Sequence, residues 1–366
     1  MDFWEKLKFE VVCGDAAQGL LGLKRAVHCV MTSPPYFQKR KYGESDKEIG
    51  NEKDILLYIS KLVSIFCSVP LHQRGSIWVN LGDKRGKNGN LMQVPHRFSI
   101  AMQDAGFLLA DEVVWAKSVV FPDGTTRGNC MPEPAEHRLN GNGFETLYRF
   151  VKTPTVSDAW VDNCAVRIPR LLEKGKRQVW PIPDMRYLPK ELMACETAID
   201  GRSLQNVWQI NSGQTSEAHW ATYPTELCER PIAMTCPMFV NPDGYPRERI
   251  VKKIEYNEGR GKKRVFGKYN RASQKEKSGR QDTASCYTPR KPETKGWTMD
   301  EGEFEPGLVC DPFCGSGTTG MAALRLGRSF VGFDLYKENC DIAEKNCQNA
   351  LVFMRDRNLN PFKRGQ

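Results

Sequence analysis

The stretch GLVCDPFCGSGTTGMAALRLGRSFVGFD, residues 307–334, decides how this chain folds. The apolar run GLVC reads as a buried strand, and TTGMAALRLG has the spacing of a helix. Between them the glycines at 315, 317 and 320 fit G-x-G-x-x-G. Alone, that pattern also occurs where a turn only lets a helix pack on a strand. Glycine permits a tight turn and close approach of a ligand to the backbone. The helix start that follows favours a negative group. The next strand, SFVGF, ends at Asp334, seventeen residues after Gly317. An acid placed there can accept hydrogen bonds from ribose hydroxyls. Strand, glycine loop, helix, strand, acid is the order expected of a site for a nucleoside-containing cofactor.

The same alternation runs through the first part of the chain. FEVVCGD (9–15), AVHCVM (26–31), GSIWVNLGD (75–83) and FLLADEVVWAK (107–117) read as strands. AAQGLLGLKR (16–25) and EKDILLYISKLVSIFCSVP (52–70) read as helices, the second stopping at Pro70. Such βαβ units imply a largely parallel sheet. Residues 118–205 differ: they are rich in Pro, Gly, Asn and charge, with short apolar pieces such as FETLYRFV and QVWPIP. They read as an irregular region inserted between parts of the sheet domain. Order returns with NVWQI (206–210) and with HWATYPTELCERPIAMTCP (219–237), whose second half has helical spacing.

The chain of 366 residues is 40% hydrophobic, enough for a sizeable core. Its apolar runs fall well short of the ~18 residues of a membrane span. MDFWEKLKFE carries charge where a signal peptide is apolar, so a cytoplasmic protein is expected. Thirteen cysteines occur with no Cys-x-x-Cys pair, which argues for reduced, buried thiols rather than a disulfide framework. The net charge of +9 is concentrated: from Arg247 to Lys295, 16 Lys and Arg face 6 Asp and Glu, a local net of +10. A basic segment on a near-neutral body suits a polyanion such as nucleic acid, and it equally suits a solvated loop without a partner.

TSPPYF (32–37) closes the strand AVHCVM. Each proline fixes its own φ and holds the residue before it extended. The pair freezes a bend between Ser33 and Tyr36 and fixes the direction of its carbonyls.

With TSPPY and DPFCGSG both in view, the chain resembles the amino-group DNA methyltransferases that use S-adenosylmethionine. Those enzymes carry a (D/N/S)-PP-(Y/F) catalytic motif and a D-P-F-x-G-S-G cofactor motif. Here the catalytic motif comes first, which resembles the permuted β-type order. The resemblance implies an α/β, Rossmann-like methyltransferase fold: a mixed, mostly parallel seven-stranded sheet with helices on both faces and an inserted target recognition region. It divides the chain into a catalytic half (1–117), a target recognition region (118–205), a return to the core with cofactor contacts (206–237), a basic insert (238–304) and a cofactor-binding half (305–366). The residues it implies for the cofactor are Asp15, Thr222, Tyr223, Pro224, Asp311, Pro312, Phe313, Gly315, Ser316, Gly317 and Asp334. GNCMPEPAEHRLNGNGFETLYRFVKTP resembles the family segment N-x-M-P-E…H-E-x-(I/L), but departs from it at the histidine: Gly143-Phe144-Glu145 stands where His-Glu is usual. The insert resembles one that carries paired cysteines in some relatives; the pairs are missing here, so no metal is expected.

The catalytic residues implied are Ser33, Pro34, Pro35 and Tyr36. An exocyclic amino group is a poor nucleophile because its lone pair is delocalised into the ring. The Ser33 hydroxyl oxygen and the Pro34 carbonyl can accept its two N–H groups, an electrostatic preorganisation toward the developing positive charge. Tyr36 offers a face for a flipped base. No Pro-Cys dipeptide occurs, which argues against cytosine carbon-5 chemistry and leaves Cys314 to packing. In this family Ser before the prolines goes with cytosine N4, and Asp or Asn with adenine N6. The expectation is therefore a site-specific cytosine-N4 DNA methyltransferase, acting beside a restriction enzyme or as a solitary modifier. The alternatives are an adenine-N6 enzyme, action on an RNA base, and a catalytically inactive nucleic-acid-binding module. Double-stranded DNA is the expected partner, with a cognate restriction endonuclease as a second. The oligomeric state, a dimer among the options, stays open.

Among other residues, Trp78 and Trp115 read as core, and His219 reads equally as cofactor neighbour or surface residue. Glu133 and His137 lack a third ligand. Arg127, Arg138, Arg149, Lys152, Arg167 and Arg170 are candidates to reach bases or phosphates. The turn Asn80–Asp83 receives no role.

Overall fold

The structure is a computed structural model. It describes residues 3–41, 43, 45–117, 119–120, 126–127, 143–162, 165, 168–169, 201–202, 205–211, 223–247, 249–251, 294–297 and 304–356. Eight strands form the main sheet: β1 (Phe9–Cys13), β2 (Val27–Thr32), β3 (Leu71–Leu81), β4 (Leu108–Ala116), β5 (Phe144–Val151), β6 (Val207–Gln209), β7 (Leu308–Asp311) and β8 (Ser329–Asp334). Their order is β1-β8-β7-β2-β3-β5-β4-β6. β5 pairs antiparallel with both β3 and β4, and the other neighbours pair parallel.

The fold class is the expected one, with one strand more than seven. The eighth is the short edge strand β6, whose Trp208 pairs with Trp115 of β4. A second correction concerns FETLYRFV. It lies inside the stretch read as an irregular insert, yet as β5 it fills the gap between β3 and β4. Seven of its eight residues are buried. A strand covered on both faces shows no polar alternation, so its period is invisible.

Helices cover both faces of the sheet. α1 (Ala16–Leu21), α2 (Ile55–Cys67) and α3 (Val94–Asp104) supply Leu20, Leu62 and Phe98 to one apolar layer. α4 (Thr225–Thr235), α5 (Thr318–Arg325) and α6 (Lys337–Asp356) supply Leu227, Ala322 and Ala343 to the other. Successive strand residues alternate between the layers: Cys29 and Met31 join the second, Val30 the first. Two helix starts have a side-chain cap. Asp15 Oδ1 accepts from the Ala17 and Gln18 amides and caps α1. Asp54 does the same for Leu56 and Leu57 at α2.

Residues 248–298 form a separate compact unit. Within it, Arg249–Val251 pairs antiparallel with Thr294–Trp297. Among the described residues no helix is long and apolar enough to cross a membrane, and no three His, Cys, Asp or Glu side chains group as metal ligands.

Candidate active site

The carboxyl ends of β1, β2, β3, β4, β7 and β8 open together on one cleft of about 950 Å³. Open α/β sheets bind ligands at this edge. β5 runs the other way, so it delivers its amino end there, including Glu145.

One wall is the glycine loop. Asp334, at the end of β8, accepts from the Gly315 amide at 3.1 Å, the Tyr336 amide at 2.9 Å and the Asn339 side chain at 3.0 Å. The acid thereby pins the loop from across the strand end. At Gly315, φ is +49° and nothing lies within 4 Å of where a Cβ would sit. At Gly317, φ is +82° and a Cβ would stand 2.9 Å from Ala343 Cα. Gly315 thus leaves room for a ligand, while Gly317 lets α6 press against the start of α5.

Behind this wall Asp311 is completely buried. Its Oδ1 accepts from Thr32 Oγ1 at 2.5 Å and the Phe313 amide at 3.0 Å; its Oδ2 accepts from Thr319 Oγ1 at 2.7 Å and the Tyr223 hydroxyl at 3.1 Å. Burial pushes the Asp311 carboxyl up, and these donors pull it back. The same surroundings, burial first and then Asp311, hold Tyr223 well above its ordinary value. One carboxylate therefore joins the end of β2, the glycine loop, α5 and the approach to α4.

The opposite wall carries Ser33, Pro34, Pro35 and Tyr36. The Tyr58 hydroxyl donates to the Pro35 carbonyl at 2.8 Å and holds the bend. The Ser33 hydroxyl donates to the Tyr36 oxygen at 3.2 Å, and Tyr36 donates to Glu145 Oε2 at 2.6 Å. Asn80 Nδ2 donates to the Tyr36 oxygen at 2.8 Å and to Glu145 Oε2 at 2.7 Å. Lys117 pairs with Glu145 Oε1. A Cβ on Gly82 would stand 2.7 Å from the Tyr36 ring, so glycine there makes room for the ring. Lys39, with its ammonium 5.4 Å from the Tyr36 ring centre, and Arg40, Lys47 and Lys61 add positive charge to the cleft. Burial lowers the Lys39 pKa, and Glu145 raises it in part.

Of the residues singled out from sequence, Ser33, Pro34, Pro35, Tyr36, Asp15, Tyr223, Pro312, Phe313, Gly315, Ser316 and Asp334 line this cleft. Asp311, Gly317 and Pro224 stand behind it: the first is saturated by protein donors, the second packs on Ala343, and the third precedes α4. Thr222 lies outside the described residues, as do Glu133, His137, Arg138, Arg167, Arg170 and His219. Trp78 and Trp115 are buried, and Trp115 also borders the cleft. Cys314 packs in the core beneath the loop. Arg149 is a correction: it is buried on β5 and bonds Asp111 at 2.7 Å, so it has no reach to a base. Glu145, Asn80 and Lys117 were assigned no role from sequence. The available signal was Glu145 itself, a carboxylate beside the apolar pieces of FETLYRFV, because a charge in a buried strand is rare unless paired.

A mostly parallel sheet with a glycine loop at its carboxyl edge is the architecture of the Rossmann-like S-adenosylmethionine-dependent methyltransferases, and here the loop faces a polar proline bend. The open space at Gly315 and the acids Asp15 and Asp334 fit that cofactor. When bound, it supplies an electrophilic methyl group on a sulfonium.

The DNA methylase family (N6_N4_Mtase) matches residues 27–244 and 247–345. The chain belongs to this family and is a DNA methyltransferase. It is 23% identical over 367 residues to the type II methyltransferase M.SmaI of Serratia marcescens, covering 92% of this chain and 89% of the relative. It is 25% identical over 367 residues to M.Cfr9I of Citrobacter freundii, covering 92% and 86%. Among solved structures, the PvuII DNA methyltransferase (cytosine-N4-specific) shares the fold at a TM-score of 0.51 and 18% identity, covering 97% of this chain and 95% of the other.

Proposed function

We propose that this chain methylates the exocyclic N4 of a cytosine flipped out of a short DNA sequence, as the modifying member of a type II restriction-modification system. The observation that carries the reading is the polarity of Ser33. Its proton is committed to Tyr36 and one lone pair accepts a long 3.5 Å contact from Asn80 Nδ2, which leaves the other lone pair for a substrate N–H. The Pro34 carbonyl is the second acceptor, and the bend is stiffened by Pro35 and Tyr58. Drawn between two acceptors, the amino nitrogen recovers lone-pair density for attack. The Tyr36 ring takes the flipped base, a stack worth about 1–3 kcal/mol. Fixing the two reactants at contact can supply about 7–11 kcal/mol of the barrier.

The names of M.SmaI and M.Cfr9I, both type II methyltransferases, support the restriction-modification setting. Sequence recognition is assigned to residues 118–205 outside β5. The basic stretch 248–298 contributes phosphate contacts.

Mass spectrometry of nucleosides from plasmid DNA tests the reading, with Ser33→Ala as control. The expected product is N4-methylcytosine, absent from the control. N6-methyladenine would overturn the choice of base and keep the amino-group chemistry. An unmodified plasmid would overturn both.

A further inference from the structure

The polar chain at the proline bend runs in one direction. Ser33 donates to Tyr36, and Tyr36 donates to Glu145. Asn80 Nδ2 donates to the Tyr36 oxygen and to Glu145. Both donors thus leave the Tyr36 hydroxyl only one direction for its own proton. The chain ends on a carboxylate that is 8% exposed and paired with Lys117. Such an arrangement can hold Tyr36 in place and nothing more. It can also carry a proton.

Methyl transfer to an amino group requires a proton to leave. The bond that forms is amino nitrogen to methyl carbon. The bond that breaks is methyl carbon to sulfonium sulfur, whose electron pair stays on sulfur. The nitrogen is left with a positive charge and one proton too many. Serine is too weak a base to keep that proton.

We propose that Glu145 is the proton sink of the reaction, reached from the substrate amino group through the Ser33 and Tyr36 hydroxyls. The amino nitrogen gives a proton to Ser33 Oγ as Ser33 gives its own to Tyr36, and Tyr36 gives its own to Glu145. Each oxygen ends neutral except Glu145, whose carboxylate becomes a carboxylic acid. No further reactant is needed. Between turnovers Tyr36 keeps its proton, because burial first and the Glu145 charge second hold its pKa well above the ordinary value. Glu145 then releases the proton to water on the side of Lys117, the more exposed member of the terminal pair at 26%. The proposal rests on the amino-group reading above and holds for either base.

The test is the single-turnover rate of methyl transfer, beside the affinities for S-adenosylmethionine and DNA, for the full chain and for Glu145→Gln and Tyr36→Phe. E145Q can still accept from Tyr36 but cannot take a proton. The expected rate loss is about 100-fold, in the range of general acid–base catalysis. Affinities for S-adenosylmethionine and DNA stay within about twofold. Y36F interrupts the same chain, so the double variant is no slower than the worse single one. Wild-type rate in E145Q overturns the proposal, as do losses that multiply in the double variant. Should E145Q lose cofactor binding and prove unfolded, Y36F decides alone, and full rate there overturns it. Product identity reports separately on the choice of base, so N6-methyladenine with a 100-fold slower E145Q sinks only the cytosine reading.

Discussion

Tyr223 donates a 3.1 Å hydrogen bond to Asp311 Oδ2, tying the approach to α4 to the strand end that launches the glycine loop. The Tyr223 oxygen also lies 2.5 Å from Thr319 Oγ1, so three elements meet on one buried carboxylate. Asp311→Asn offers an N–H₂ to at least one donor in place of an acceptor. A buried donor left unmatched costs about 1–3 kcal/mol. The variant is expected to lose that much stability in urea unfolding. In calorimetry it binds S-adenosylmethionine at least tenfold more weakly, with DNA affinity unchanged.

Ser33→Ala removes the hydroxyl acceptor but leaves both prolines and their carbonyls. Turnover is expected to fall at least 100-fold while S-adenosylmethionine affinity changes less than about threefold, because electrostatic contacts of this kind act on the transition state. Equal losses in kcat and cofactor Kd would place Ser33 in cofactor binding instead.

The two loop glycines should fail differently. Gly315→Ala puts a methyl group into open space at a left-handed φ of +49°, at a cost of about 1–2 kcal/mol, and blocks the ligand. Gly317→Ala drives a Cβ to 2.9 Å from the Ala343 backbone and should be the less stable protein. Melting temperature and cofactor titration together separate the two.

His28 supplies a pH dependence of stability. The ring is 2% exposed, accepts from the Leu308 amide on Nδ1 and donates from Nε2 to the Gly244 carbonyl. Burial lowers its pKa from 6.5 to about 4, with His72, stacked at 5.0 Å, adding to the effect. The folded state holds the ring neutral while the unfolded chain protonates it from 6.5 downward. The contribution is therefore full above pH 6.5 and lost as pH falls toward 4. The loss reaches about 3 kcal/mol. Denaturant unfolding across this window should show a steeper acid decline in the wild type than in His28→Gln.

Deleting residues 248–298 removes most of the basic excess. If about five of those cations reach phosphates, the slope of log affinity against log salt should fall by about 4–5. An unchanged slope in filter binding would assign the segment another task.

Most of this architecture was legible locally. β1, β2, β4, β7 and β8 announce themselves as short apolar runs bounded by turns, and the proline bend and glycine loop are contiguous in sequence. β5 was not legible, because burial on both faces erases its period and its neighbours are charged. The Glu145 cluster was hidden for a different reason. Tyr36, Asn80, Lys117 and Glu145 come from the ends of four separate strands, and only sheet register brings them within hydrogen-bond reach. Asp311 shows the converse error. A motif residue reads as a ligand contact, yet its neighbours in space consume both its oxygens.

The pairing of β7 with β2, Val309 opposite Cys29 and Cys310 opposite Val30, has a consequence in time. A ribosome makes β2 early and its partner nearly three hundred residues later. Until then one edge of β2 lies open, and the bend that follows faces no glycine loop. Domains emerge and fold from the amino end at about 5–20 residues per second. A nascent chain of this protein therefore spends many seconds with its chemistry assembled on one side only. Methylation begins only after the last strands are threaded in, and a message cut short upstream of them yields protein that leaves DNA unmarked.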